Sequence, residues 1–300
     1  LIQGASSYLH PARNFTRASA GTAIDAAGNI VEFGNNVPRF GRDGLVIEDT
    51  RTNRFLNSLA PVTQNITVTA VAHVLSLMGT GSITLSGAAT GTLNGLGAGI
   101  PASLVFTPSA GTLTLTVSGS LAVAQLEIGA FASSFIVTAG AALTRLSDVL
   151  TWPLASLGIP ASGLCTFVGS LLIPRGVGLG FKTILQLDAN DDAFRWLLRN
   201  GDGNAFPQLI RLSPGTATAN LATITDGVVA RFALALDGAG RGAISLNGAA
   251  PVVLTGGPTV LTTLRIQSRG SSQQSFGSFP NFSIYPGVAL SDATLRTLSA

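Results

Sequence analysis

The stretch LTLTVSGSLAVAQLEIG, residues 113–129, opens with Leu113, Leu115 and Val117 alternating with Thr114, Thr116 and Ser118. A period of two puts the apolar side chains on one face of an extended chain and the hydroxyls on the other, which is the pattern of a half-buried antiparallel strand. ITVTAVAHVLSLMG (66–79) and SITLSG (82–87) repeat it, separated by glycine-rich turns. No stretch between Asn57 and Val149 carries a period near 3.6. The pattern predicts a compact β-sandwich whose outer faces bear hydroxyls in place of charges.

Charge is distributed unevenly. The chain holds 17 basic and 14 acidic residues in 300, and seven of these, Arg39, Arg42, Asp43, Glu48, Asp49, Arg51 and Arg54, fall within residues 35–55. From Phe55 to Thr144 only Glu127 is charged. A net charge of +3 without a basic stripe argues against a nucleic-acid surface. Apolar residues alternate with Thr, Ser and Gly and never run long enough for a membrane helix. Two Trp and two Tyr are too few for the aromatic girdles of an outer-membrane barrel. The first twenty residues contain no continuous apolar core of the kind a signal peptide needs. A single cysteine, Cys165, excludes an internal disulfide and sits in an apolar run, CTFVGSLLI, that predicts a buried strand.

A Pro- and Gly-punctuated join, LTWPLASLGIPASG (150–163), precedes a second series of strand-like runs: CTFVGSLLIP, KTILQLDA, AFRWLLRN, QLIRLSP, NLATITDG, TLRIQS and NFSIYP. RFALALDGAGRGAISLNG reads as a hairpin turning at Asp237–Arg241, with Arg241 in an exposed turn. In SDATLRTLSA, Ser291 can cap a short helix whose Leu295 and Leu298 pack back on a sheet. The first 55 residues offer two short strand candidates, NIVEF and GLVIED, and too little apolar material for a core of their own. The predicted fold class is therefore all-β: two antiparallel β-sandwiches of jelly-roll type preceded by a short irregular N-terminal connector.

FTRAS, DAAGNIVEF, NNVPRF and GLVIEDTRTN, in that order, resemble the N-terminal signature of structural proteins of tailed bacteriophages and gene transfer agents, of the head-spike fibre or tail-fibre type. Only GRDG separates Phe40 from Leu45, where relatives carry a longer acidic loop. QLEIGAFASSFIVTAGAALTRLSDVL (125–150) is similar to the closing element of a carbohydrate-binding-module-like sandwich. ALALDGAGRGAISLNG, TLRIQS and FSIYPGVALSDATLRTLSA resemble a concanavalin A-like lectin jelly roll. The resemblance implies three parts: a connector and docking segment (1–55), a carbohydrate-binding-module-like sandwich (56–150) and a lectin-like domain (151–300). It also implies a subunit of a phage-like particle, assembled in the bacterial cytoplasm. Its partners would be other capsid or tail proteins and host surface polysaccharide, with neither nucleic acid nor membrane insertion. The alternative is a free bacterial carbohydrate-binding protein or a degraded glycosidase. A homo-oligomer is expected, since particle components assemble symmetrically and a nearly uncharged sandwich is poorly protected against association.

Glycoside hydrolysis generally needs two carboxyls flanking the bond, and the chain has three Glu, none after Glu127. No catalytic activity, cofactor or metal is expected. DANDD (188–192) lacks the glycine and terminal glutamate of a calcium loop and reads as a polar turn. His10, His73 and Cys165 form no metal-ligand spacing. Trp196 is expected in the core beside Phe194 and Leu198, with Arg195 and Arg199 opposite, and Trp152 is expected to lock the join between domains. The expected ligand-binding residues are Arg269, Gln273, Gln274 and Phe276, in the loop SRGSSQQSFGSFPN. The expected assembly residues are Arg39, Arg51, Arg54 and Glu48.

Overall fold

The computed structural model describes residues 11–173, 182–190, 193–200, 207–213, 215–225, 227–267 and 276–300. The first six strands are β1 (Asn14–Thr16), β2 (Gly21–Ile24), β3 (Ile30–Phe33), β4 (Arg39–Gly41), β5 (Gly44–Ile47) and β6 (Arg51–Asn53). Next come β7 (Gln64–Val68), β8 (His73–Gly79), β9 (Ser82–Gly87), β10 (Gly91–Asn94), β11 (Gly97–Phe106), β12 (Gly111–Ser118), β13 (Leu121–Ile128) and β14 (Leu143–Arg145). The remainder holds β15 (Val149–Pro153), β16 (Cys165–Leu172), β17 (Lys182–Asp188), β18 (Arg195–Asn200), β19 (Pro207–Leu212) and β20 (Thr216–Asn220). It ends with β21 (Val229–Leu236), β22 (Gly242–Leu246), β23 (Val252–Leu254), β24 (Thr263–Ile266), β25 (Gly277–Pro286) and the helix α1 (Asp292–Leu298). The protein is all-β, and every strand pair among the described residues is antiparallel.

Two compact units divide the chain, and their boundaries differ from 1–55, 56–150 and 151–300. Unit 1 takes β1, Asp43–Asp49 and everything from Asp148 on, while unit 2 takes Arg17–Arg42 and Thr50–Ser147. Residues 11–55 are thus shared out between the two units. Short strands gain stability as additions to a larger sheet, as where β1 pairs with β15 and β5 with β25, whereas β2 and β3 form a two-stranded sheet and β6 forms one with β14.

In unit 1 a seven-stranded sheet, in the order β1-β15-β24-β17-β18-β19-β20, faces a second sheet in the order β23-β22-β21-β16-β25-β5. Leu150, Trp152, Leu185, Leu187, Trp196, Leu198, Leu209, Leu264 and Ile266 form the inner face of the first, each at most 2 % exposed. Phe167, Phe232, Phe279 and Phe282 cluster on the second, with ring centroids 5.7–6.2 Å apart. Trp196 reaches across to β22, where a Cβ on Gly242 would lie 2.6 Å from its ring, so glycine makes the space the indole fills. On the far side of that second sheet Ala233, Ala235 and Ala243 pack against Leu295 of α1, which Ser291 caps as expected. Leu298 is 37 % exposed and does not join that packing. Arg241 is also less exposed than a bare turn would leave it, because its guanidinium binds Asp292 in the first turn of α1 (2.7 Å).

Trp152 belongs to the core of unit 1 on β15, which gives it a packing role within a sheet in place of the interdomain lock expected of it. Phe194 precedes β18 and is 44 % exposed, so it does not share the face of Trp196. The strand expected in NLATITDG is instead β20, TATAN. Glycines and a proline hid β11 from a reading by periodicity.

Unit 2 packs the sheet β10-β9-β12-β7 on β11-β8-β13, with Leu75, Leu77, Ile83, Leu85, Leu113, Leu115, Ala124, Leu126 and Phe55 between them. The β2–β3 hairpin covers the other side of β8 and β13, where Met78, Val123 and Phe135 meet Ile24 and Ile30. This third layer explains why six consecutive residues of β8, His73–Met78, are buried.

The segment after β13 is tied down by side chains on both flanks. The Ser133 N–H donates to Glu127 Oε2 (2.9 Å) and the Ile136 N–H to Gln125 Oε1 (2.7 Å). Asn53 Nδ2 donates to the Ile136 carbonyl (2.8 Å), while Asn53 Oδ1 accepts from the N–H groups of Phe55 and Leu126. We expect Asn53→Ala to cost unit 2 about 2–4 kcal/mol, because it strands buried backbone groups. Trp196→Ala should cost unit 1 about 3–5 kcal/mol through the cavity left behind. Calorimetry of each variant checks both values, and a Trp196→Ala transition unchanged from wild type would contradict the packing.

Candidate functional site

Of the four loop residues expected to bind ligand, only Phe276 lies within the described residues; Arg269, Gln273 and Gln274 lie outside them. Phe276 is 3 % exposed, which makes it a core residue and removes it from the candidate site. β25 begins at Gly277, inside the expected loop, and Phe276 beside it is drawn inward.

Side chains able to recognise a polar ligand gather on the outer face of the seven-stranded sheet. Register places Thr183, Arg199, Gln208 and Asn220 in one row across β17, β18, β19 and β20. Arg199 Nε and Nη2 both donate to Gln208 Oε1 (3.1 and 3.0 Å), and Gln208 Nε2 donates to Asn220 Oδ1 (2.9 Å). Planar groups are therefore laid edge to edge over three strands, each pinned by its neighbour. Arg199 and Gln208 are half-buried and Asn220 is exposed. Thr216 and Thr218 on β20 extend the accessible part of the face.

A second cluster lies on the same face at β17 and β24. Arg265 Nε donates to Asp188 Oδ2 (2.6 Å) and its Nη2 to Asn190 Oδ1 (2.9 Å). Gln186 Nε2 also donates to Asp188 Oδ2 (2.8 Å), and the Asn190 N–H to Asp188 Oδ1 (2.7 Å). Asp188 is fully buried, so within DANDD it serves as the anchor of a turn; Asp191 and Asp192 lie outside the described residues. Thr183 Oγ1 and Gln186 Oε1 are buried on this face without a hydrogen-bond partner. Such unsatisfied capacity is uncommon in folded proteins.

The expected assembly residues are placed as follows. Arg39 is fully buried in unit 2, donating to the Thr22 carbonyl (2.8 Å) and Ser134 Oγ (2.6 Å). Arg51 donates to the Ile128 carbonyl and lies 4.5 Å from the centroid of the Phe131 ring. Arg54 is half-buried, with its N–H on the Leu126 carbonyl (2.8 Å). Glu48 belongs to unit 1 and is 5 % exposed, and its backbone N–H donates to Asp148 Oδ2 (2.9 Å). Substituting Arg39 or Arg51 therefore perturbs the interior of unit 2 before any docking surface.

Among the described residues no cluster of His, Cys, Asp or Glu is placed to hold a metal. His73 is buried, stacked on Phe106 at 6.0 Å, with Nδ1 2.8 Å from the Val71 carbonyl; His10 lies outside the described residues. Burial pushes the Cys165 thiol up to about 12, which leaves it unreactive. No helix among the described residues is long and apolar enough to cross a membrane.

No family model matches the chain, and no curated protein does. Among solved structures, the module CBM40 of the Ruminococcus gnavus IT-sialidase, bound to α2,3-sialyllactose, shares 14 % identity at a TM-score of 0.38, over 49 % of this chain and 86 % of that one. Domain 4 of AbnA, an arabinanase of Geobacillus stearothermophilus in complex with arabinotriose, shares 18 % at 0.42, over 57 % and 80 %. Trypanosoma rangeli sialidase in complex with DANA shares 17 % at 0.39, over 50 % and 25 %. At these scores and identities the likenesses carry no inference about ligand or chemistry.

The Asp188 cluster generates a stability prediction. Arg265→Ala leaves a buried carboxylate without its guanidinium and should destabilise unit 1 by about 3–5 kcal/mol. Asp188→Asn, which removes the charge but keeps the acceptor, should cost less in the same denaturant titration.

Proposed function

We propose that this chain is a structural subunit of a phage-like particle, a head spike or tail fibre component, that presents the outer face of the seven-stranded sheet of unit 1 to host cell-surface polysaccharide. The observation that carries the glycan half of this reading is the row Arg199–Gln208–Asn220. Sugar hydroxyls occur in adjacent pairs and are best recognised by fixed planar groups that offer donors and acceptors side by side. Here each planar group is held by the next, so little rotamer freedom is lost on binding. The row lies on a sheet and not on a loop, and no large motion is needed to assemble it.

The particle half rests on the ordered motifs FTRAS, NNVPRF and GLVIEDTRTN. Supporting it, residues of those motifs serve as the internal frame of unit 2: Arg17, Arg39 and Asn53 are each at most 1 % exposed. In this reading the protein works within the virion, assembled in the bacterial cytoplasm as a homo-oligomer alongside other capsid or tail proteins. It binds glycan without cleaving it. Glu127 is committed to Ser133, Glu48 is buried in the other unit, and Asp188 is engaged by Arg265.

The test has two arms. Electron microscopy of native particles with a labelled subunit should locate it on the capsid or tail; a subunit found only free of particles would favour the free carbohydrate-binding protein. On an array of host capsular and exopolysaccharides, Gln208→Ala/Asn220→Ala should lose at least about tenfold in affinity while stability changes by roughly 0.5 kcal/mol or less. A triple change of Arg269, Gln273 and Gln274 to Ala serves as comparison. If only the triple variant loses binding, the loop and not the sheet face holds the glycan.

A further inference from the structure

Across residues 56–143 the only ionisable side chains of the Asp, Glu, Lys, Arg or His type are His73 and Glu127, and both are fully buried. The entire solvent-facing surface contributed by these residues is therefore uncharged. Soluble surfaces ordinarily intersperse both signs of charge to resist association. One region of this surface is regular. On the outer face of the sheet β10-β9-β12-β7, Thr92, Thr84 and Thr116 stand in one row across three strands. Asn94, Ser82 and Ser118 form the next row. Thr84 and Thr92 bond hydroxyl to hydroxyl at 3.2 Å, and all six residues except half-buried Ser82 are exposed. No aromatic or charged residue occurs in these four strands.

We infer that this hydroxyl face is a self-association surface, whose partner is the same face of a second copy of the chain. Three arguments select that occupant. A charged partner would find no counter-charge and would have to desolvate its ions against neutral hydroxyls. A polysaccharide would find neither a ring to stack on nor a hydrogen-bonded row of planar groups like that of unit 1. A two-fold interface, by contrast, must be complementary to itself, and each hydroxyl and amide is both donor and acceptor, whereas a row of Arg or Asp would meet its own charge. Strands about 4.8 Å apart rising about 3.4 Å per residue give a face of roughly 500 Å². That is below the roughly 800 Å² per partner of a stable interface. A single pair is consequently weak, and the contact becomes firm where many copies are held together.

The inference deepens the assembly half of the proposed function and is independent of the glycan half, which uses unit 1. Sedimentation equilibrium of the full chain should show concentration-dependent self-association that does not weaken from low to high salt, because no ion pair contributes. Thr84→Lys/Thr116→Lys and Thr84→Glu/Thr116→Glu should each raise the dissociation constant about tenfold or more through like-charge repulsion. Mixing the two should restore association, a result that a misfolded variant could not give. Asn94→Lys/Ser118→Lys with its Glu counterpart provides a second pair should the first unfold. Wild type monomeric at every concentration, association that falls with salt, variants that associate as wild type, or a neutral glycan captured by this face would each overturn the inference.

Discussion

The structure depends on placing its ionic groups inside. Arg17, Arg39, Arg145, Glu127 and Asp188 are each at most 1 % exposed in a chain with few charges to spare. Burying an ion is unfavourable unless its hydrogen-bonding capacity is filled. In unit 2 backbone carbonyls take part in this. Arg17 donates to those of Ser19, Phe33 and Gly34, and Arg39 to that of Thr22. The three arginines pack so closely that a Cβ on Gly21 would lie 3.0–3.2 Å from all of them. A larger residue there would make their stems shift by a few tenths of an ångström.

Such an arrangement specifies a conformation more than it adds stability. An apolar core of the same shape can be equally stable, but it constrains register less. Asn53, Gln125 and Glu127 bind specific backbone groups of the segment after β13, and a shift by one residue would leave each of them unsatisfied. That segment is thereby held in one register. Within the charge-dense residues 35–55, Arg39 and Glu48 are buried in units 2 and 1 and Arg51 bonds the Ile128 carbonyl, whereas Arg42 and Asp43 are exposed.

The outer surfaces differ in kind. On unit 1 the planar groups of Arg199, Gln208 and Asn220 form a hydrogen-bonded row with unsatisfied capacity beside it, at Thr183 and Gln186. On unit 2 the corresponding positions are Thr, Ser and Asn without charge. Both are read from sheet register, because a two-residue period converts a strand's sequence into a face only when the neighbouring strands are known.

Alternation alone determined much of this protein: the strand at 82–87, the extended character of 66–79 and 113–129 (which the structure breaks into β7 and β8, and into β12 and β13, in different sheets), the Asp237–Arg241 hairpin, the Ser291 cap and the all-β class. Those features rest on local geometry, in which a side chain's face follows from its position in the strand. Tertiary structure decided the rest. It divided residues 11–55 between two units and exposed Phe194 while burying Phe276. It found a strand at 97–106 despite its glycines and proline, and it assembled Arg199, Gln208 and Asn220 from three strands. The physical reason is that burial and cross-strand pairing join residues far apart in the chain, whereas periodicity reports only which side of its own strand a residue occupies.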